Sequence, residues 1–304
     1  MEEILNNFLD IHNFKASAIP ASKLFDLEND IKGLLENGFI TTEVYDRCLR
    51  GFSFTKPNNL DKLNSIIILS IPRPQHKLKV QYKDRIFEVI IPPQYVNQRK
   101  VTENAQKLLG KLFADNGFNI GQARLPYKLL SVRSGLAKYG KNNIAYVKDW
   151  GSFHQLAAFY SDWKISKDNW QELRSLDACK TCSLCLKQCP TGAISPNVFI
   201  LDIARCLTYL NESKDDIPQW VSFQMHNSLV GCIKCQDICP YNKNIKDWIV
   251  DIGEMDQEET LLLLKSNGDT KNPKLIKKLQ NIGLYEWFKR VPLGRNLNLL
   301  IDKF

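Results

Sequence analysis

Cys179-Lys180-Thr181-Cys182-Ser183-Leu184-Cys185-Leu186-Lys187-Gln188-Cys189-Pro190 decides how this chain is read, together with Cys232-Ile233-Lys234-Cys235-Gln236-Asp237-Ile238-Cys239-Pro240. The first stretch is C-x2-C-x2-C-x3-C-P, the bacterial spacing for [4Fe-4S] clusters; the second supplies C-x2-C-x3-C-P. In two-cluster proteins the fourth cysteine of a run ligates the other run's cluster. Seven thiolates cannot fill two sites of four. The eighth is expected to be Cys206 in Ala-Arg-Cys-Leu-Thr-Tyr. The expected sets are therefore Cys179, Cys182, Cys185 and Cys239 on one cluster, with Cys189, Cys206, Cys232 and Cys235 on the other. Cys48 is left over and reads as an ordinary half-buried thiol.

Zinc can use C-x2-C pairs, but a four-ligand site has no use for three cysteines at spacing three followed by Cys-Pro. A disulfide framework needs an oxidising compartment. The opening residues, Met-Glu-Glu-Ile-Leu-Asn-Asn-Phe, carry neither a basic region nor a long apolar core. A cytoplasmic location is expected. No stretch approaches the length of a membrane span.

With 304 residues and a net charge of +8, the chain has room for more than one domain and favours anionic partners. The positive excess gathers between Arg73 and Arg85, with His76, Lys77, Lys79 and Lys83. It gathers again at Lys274, Lys277, Lys278, Lys289, Arg290 and Arg295. Both read first as solvated faces.

About 170 residues precede the cysteines, and their periodicity is that of a folded α+β unit. Helices are expected at Glu2–Phe14, Ala21–Asn37 and from Thr41 or Thr42, and a long one over Gln94–Gly117. The aliphatic run Ser65–Ile71 predicts a buried strand, and Val80–Ile91 a second strand, in a hairpin with it. Further on, a helix reaching Gly135 or Tyr139, a Gly140–Asn143 loop and strands at Ile144–Val147 and from Phe153 are expected. Gly140-Lys141-Asn142-Asn143 lets backbone amides approach a ligand closely, although such a loop is more often an ordinary turn. Residues 246–304 read as helical.

Several motifs in this order resemble those of the cobalamin-dependent epoxyqueuosine reductases, relatives of the reductive dehalogenases. They are Arg133-Ser134-Gly135-Leu136-Ala137-Lys138-Tyr139-Gly140-Lys141-Asn142-Asn143, then Gly151-Ser152-Phe153, the four-cysteine run ending Cys189-Pro190-Thr191-Gly192, Arg205-Cys206, Gly231-Cys232 through Cys239-Pro240-Tyr241-Asn242, and Arg295-Asn296-Leu297. The resemblance covers about residues 120 to 300. It implies a nitroreductase-like α+β domain binding base-off cobalamin (1–170), a bacterial double-cluster ferredoxin-like domain (171–245) and a helical C-terminal segment (246–304). It also implies a reductase fed by a low-potential donor such as ferredoxin or flavodoxin, acting on a small molecule or on tRNA. The cobalamin is expected against Arg133, Gly140, Asn142, Asn143, Tyr146, Gly151, Ser152 and His154.

One departure bears on the substrate. The family's acidic proton donor, in a Val-Asp-Thr-Gly-Pro-like segment, would fall at or near Gly121, where no acid stands. Asn143 and His154 also replace the family's more usual Thr and aromatic residue. Substitute donors by residue type are Tyr127, Lys128, Tyr139 and Lys141, a tyrosine beside a cation being a plausible delivery pair. Each also has a plainer reading, the tyrosines as packing residues and the lysines as solvent-facing charges. Three functions stay open: a cobalamin- and cluster-dependent reductase with a substrate of its own, a non-catalytic corrinoid or ferredoxin-type electron carrier, and a true epoxyqueuosine reductase acting on tRNA.

Overall fold

The computed structural model describes residues 1–58, 60–196, 201–266 and 268–302. Numbered along the chain, its strands are β1 (Lys15–Pro20), β2 (Ser65–Pro72), β3 (Gln75–Tyr82), β4 (Arg85–Ile91), β5 (Ile120–Ala123), β6 (Ala137–Tyr139), β7 (Ala145–Val147), β8 (His154–Ser161) and β9 (Ile249–Met255). Its helices are α1 (Glu2–His12), α2 (Leu24–Glu36), α3 (Thr42–Cys48), α4 (Gln98–Asp115), α5 (Tyr127–Arg133), α6 (Leu184–Gln188), α7 (Leu207–Glu212), α8 (Lys234–Asp237), α9 (Gln257–Leu264), α10 (Pro273–Asn281), α11 (Tyr285–Phe288) and α12 (Leu293–Ile301). The chain divides into two compact units, Met1–Pro72 with Lys100–Cys182, and Arg73–Arg99 with Ser183–Phe304.

In the first unit an antiparallel sheet runs β1-β2-β8-β5. Strand side chains alternate between faces. Ile67 and Leu69 accordingly join Leu5, Phe8, Ala105, Leu109 and Phe113 of α1 and α4. Their neighbours Ile66 and Ile68 join Leu27, Ile31 and Leu130 of α2 and α5 on the other side. Burial on both faces is why Ser65–Ile71 is a mostly aliphatic run instead of an alternating one. Thr41 caps α3, its hydroxyl accepting from Val44 N, and Gly117 follows α4 at φ +79°.

The second unit carries the sheet β4-β3-β9, with β9 parallel to β3. Leu78, Val80, Val89 and Ile91 pack with Leu263, Leu275, Leu279, Leu293 and Leu297 of α9, α10 and α12. Gly294 sits where a Cβ would lie 2.2 Å from the Leu263 carbonyl oxygen, so only glycine permits this approach of α12 to α9.

Several expectations need correction. Val80–Ile91 is not one strand paired with β2: it holds the end of β3 (from Val80 to Tyr82) and all of β4, joined at Lys83-Asp84. Both turn residues have positive φ (47° and 58°), the conformation a two-residue hairpin turn requires. β2 pairs instead with β1 and β8. Strands β1, β5 and β9 were not expected, and β9 interrupts the supposedly all-helical 246–304. The helix expected to reach Gly135 or Tyr139 stops at Arg133, since Gly135 turns the chain at φ +75° into β6. Cys48 is exposed, not half-buried.

Candidate functional site

β6 and β7 form a short hairpin whose tip is the Gly140–Asn143 loop. Within it, Gly140 N donates to Ile144 O, and Asn143 N donates to Gly140 O with Asn143 at φ 59°. Asn142 Nδ2 donates to the Tyr146 hydroxyl at 2.9 Å, bracing the loop from behind. A Cβ on Gly140 would lie 2.5 Å from both Asn142 Oδ1 and Tyr146 Cε2, so the loop closes this way only around glycine. At its other end Lys128 of α5 clasps Asn143, its Nζ donating to the carbonyl at 3.1 Å and to Oδ1 at 3.0 Å.

The same hairpin carries the start of the cysteine run. Tyr139 bridges to Ser175 in parallel sense. Its N donates to Arg174 O and its carbonyl accepts from Leu176 N. Cys179 N then donates to Leu176 O, and Lys141 Nζ donates to Cys182 O at 2.8 Å. The glycine loop and the Cys179–Cys182 run are thus one hydrogen-bonded block within the first unit.

His154 opens β8 behind this hairpin. It is buried, Nε2 contacts the Ala145 carbonyl at 3.0 Å and Nδ1 has no partner. Facing a carbonyl, Nε2 must carry the proton, which leaves Nδ1 an unsatisfied acceptor. Burial holds the ring's pKa down at about 4, so the imidazole is neutral. Gly151, at φ 52°, accepts from Val147 N beside it, and Ser152 is buried.

The remaining expected residues are more committed. Arg133 is held by both oxygens of Asp30 at 2.8 Å and lies 5.1 Å over the Trp170 ring. Tyr127 donates its hydroxyl to Ala123 O, and burial raises its pKa. Burial, followed by the Asp30 charge, drives the Tyr139 phenol well above its ordinary value. Gly121 lies buried within β5 opposite Tyr160, and Gln122 and Ala123 follow it without an acid. A cleft of about 790 Å³ in the same unit is lined by Lys15, Ser17, Ser134, Gly135, Lys167 and Trp170 among others. It meets the expected cofactor tract only through Ser134–Leu136.

In the second unit, Cys189, Cys206 and Cys232 bear on one another electrostatically. Burial raises the Cys206 thiol and pushes Cys232 up to about 11. Thiols grouped in this way can serve one centre, which would take them as thiolates. Three residues the sequence did not single out shape this site. Asn227 Nδ2 donates to Cys232 Sγ at 3.2 Å. Tyr95 donates to the half-buried Glu212 carboxyl, whose pKa desolvation raises. Tyr95 also fills the space a Gly231 side chain would need. Arg295 and Asn296 of α12 bond the Asn211 carbonyl at the end of α7, which accounts for that motif structurally. Among the described residues no three side chains of His, Cys, Asp or Glu are gathered tightly enough for a single metal ion.

Comparison with known proteins follows the same division. Residues 178–242 match the family model of a 4Fe-4S double cluster binding domain. An epoxyqueuosine reductase of Leadbetterella byssophila is 35% identical over 134 residues, 44% of this chain and 40% of that protein. One from Cyclobacterium marinum is 27% identical over 240 residues, 79% of this chain and 69% of that protein. The first match thus spans well under half of its relative's length. Among solved structures, epoxyqueuosine reductase from Streptococcus thermophilus superposes with a TM-score of 0.69 at 20% identity, covering 98% of this chain and 80% of that one. An epoxyqueuosine reductase with an epoxyqueuosine-modified tRNA-Tyr stem loop gives 0.64 at 20%, covering 99% and 80%. The chain therefore has the fold of the solved epoxyqueuosine reductases, with a 4Fe-4S double cluster binding domain over residues 178–242.

Proposed function

We propose that the protein is a cytoplasmic reductase that takes electrons from a low-potential donor, ferredoxin or flavodoxin, through two [4Fe-4S] clusters to cobalamin and on to an organic substrate. On this reading residues 1–170 are the nitroreductase-like cobalamin-binding domain, 171–245 the ferredoxin-like module and 246–304 its C-terminal support. The observation that carries it is the bonding of the Gly140–Asn143 loop to the Cys179–Cys182 run, because electron transfer needs the two centres close and rigidly spaced. The eight cysteines of the two sets, Cys206 included, hold the clusters.

Residues of the tract fit a corrinoid: a loop that closes around a glycine, and a buried neutral histidine with an unused ring nitrogen. Cobalamin, when bound, supplies a strongly reducing metal centre. The protein's own contribution is to hold and shield it. Gly140, Asn143, Gly151 and Ser152 present backbone, Asn142 and Tyr146 keep the loop closed, and His154 offers Nδ1 as an acceptor. Arg133, locked to Asp30, orients the turn from α5 into β6. Lys128, exposed at the loop's lip, is the donor group best placed to move a proton.

A small reducible molecule is the proposed substrate. No carboxylate stands at Gly121, and losing a general acid costs roughly 10²–10⁴ in rate. Several charges of the two basic stretches are also already engaged. Arg73 and His76 are buried, Lys77 pairs with Glu88, Lys274 with Asp256 and Glu258, Lys278 with Glu259, and Lys289 with Glu286. The net charge of +8 and the stem-loop complex of a structural relative favour a second reading, epoxyqueuosine in tRNA. An anaerobic assay with a low-potential reductant and epoxyqueuosine-containing tRNA separates them. Little or no conversion is expected, and turnover at ~1 per second or faster, an ordinary enzymatic rate, would establish the tRNA substrate.

A further inference from the structure

Lys141 was expected among the proton donors, yet its ammonium points to the cysteine run. Nζ donates to the Cys182 carbonyl at 2.8 Å in a part-buried contact. The acceptor is neutral, so this bond leaves the lysine's positive charge uncancelled. It places that charge against the backbone of one cysteine, with Cys179 held in the same loop through Leu176 and Tyr139. The potential of an iron-sulfur cluster follows the charge and hydrogen bonding around its sulfurs. A cation fixed in a partly buried setting favours the state with one more electron, because Coulomb attraction there is several-fold stronger than in bulk water.

We infer that Lys141 is a positioning residue for the cluster served by Cys179 and Cys182: it raises that cluster's reduction potential and ties the Gly140–Asn143 loop to the electron source. The inference rests on the cluster assignment above and does not require cobalamin to be present. It removes Lys141 from the list of acids and gives it an electrostatic task instead.

The test is a reductive titration, followed by electron paramagnetic resonance, of the full chain purified anaerobically and reconstituted with iron and sulfide, with no cobalamin added. Lys141→Met is expected to keep its iron and sulfide while one of the two clusters becomes roughly tenfold harder to reduce, ~59 mV for a one-electron couple. The other cluster should be unmoved, and Lys141→Arg should return most of the shift. Two unchanged potentials in Lys141→Met at full iron content overturn the inference. Should Lys141→Met lose iron, Lys141→Arg decides alone. Full iron with a near-normal potential supports the role of the charge, and loss of iron there too contradicts it. A wild-type chain that takes up no clusters would instead strike the proposed function, so the two failures are distinguishable.

Discussion

Cys206 lies outside both cysteine runs, at the start of α7, and the count of thiolates and the Arg205-Cys206 motif pointed to it. Its neighbours fit that assignment. It bears electrostatically on Cys189 and Cys232, and Arg205 beside it is anchored by Nε to Thr191 O. Cys206→Ala should therefore lower the anaerobic iron content from about eight to about four per chain, whereas Cys48→Ala, at an exposed site, should change nothing. Iron assay and absorption spectra check both. A second residue-scale outcome concerns acid. His154 has an ordinary pKa near 6.5 and is held at about 4 by burial. The unfolded chain therefore binds this proton more readily than the folded one. Stability from His154 is complete above about pH 6.5 and drains away as the pH falls towards 4, by up to about 3 kcal/mol. His76, depressed to about 4 by burial and then by Arg73, acts in the same sense. Thermal unfolding of wild type and His154→Gln between pH 4.5 and 7.5 should show a flatter acid loss in the variant. Parallel curves would mean that folding leaves the imidazole's pKa unshifted.

At the scale of elements, the β6–β7 hairpin and its loop decide the site. A methyl group at Gly140 must displace Asn142 or the Tyr146 ring, so Gly140→Ala should weaken cobalamin binding at least tenfold, ~1.4 kcal/mol, with iron content unchanged. Calorimetric titration measures it, and undiminished affinity would place the ligand elsewhere. This loop was legible in the sequence because Gly-Lys-Asn-Asn carries its own turn chemistry. β2 was legible because burial on both faces writes a mostly aliphatic run. β9 was not, since Ile249–Asp251 is exposed and its polar residues follow no inward pattern. The Lys83-Asp84 turn hid because non-glycine residues adopt its positive φ. Partnerships across long sequence distance were equally silent. Nothing near Arg133 announces Asp30, roughly a hundred positions earlier, and nothing near Cys232 marks Asn227 as the donor to its sulfur.

At the scale of the whole molecule, each unit has its own core. The first builds a sheet covered on both faces and hangs the glycine loop and the first two cysteines from one hairpin; the second packs β3, β4 and β9 under α9, α10 and α12 and carries the remaining six expected cluster cysteines. The division of labour proposed for them is cofactor holding and electron supply. Among the described residues no helix is long and apolar enough to cross a membrane. The central claim joins clusters and corrinoid in one chain. It is tested most directly by titrating the anaerobically reconstituted protein with cobalamin while recording its spectrum and its iron and sulfide content. About eight iron, about eight sulfide and one base-off cobalamin per chain are expected, whereas intact clusters with no affinity for cobalamin would contradict the account and leave a ferredoxin-type carrier in its place.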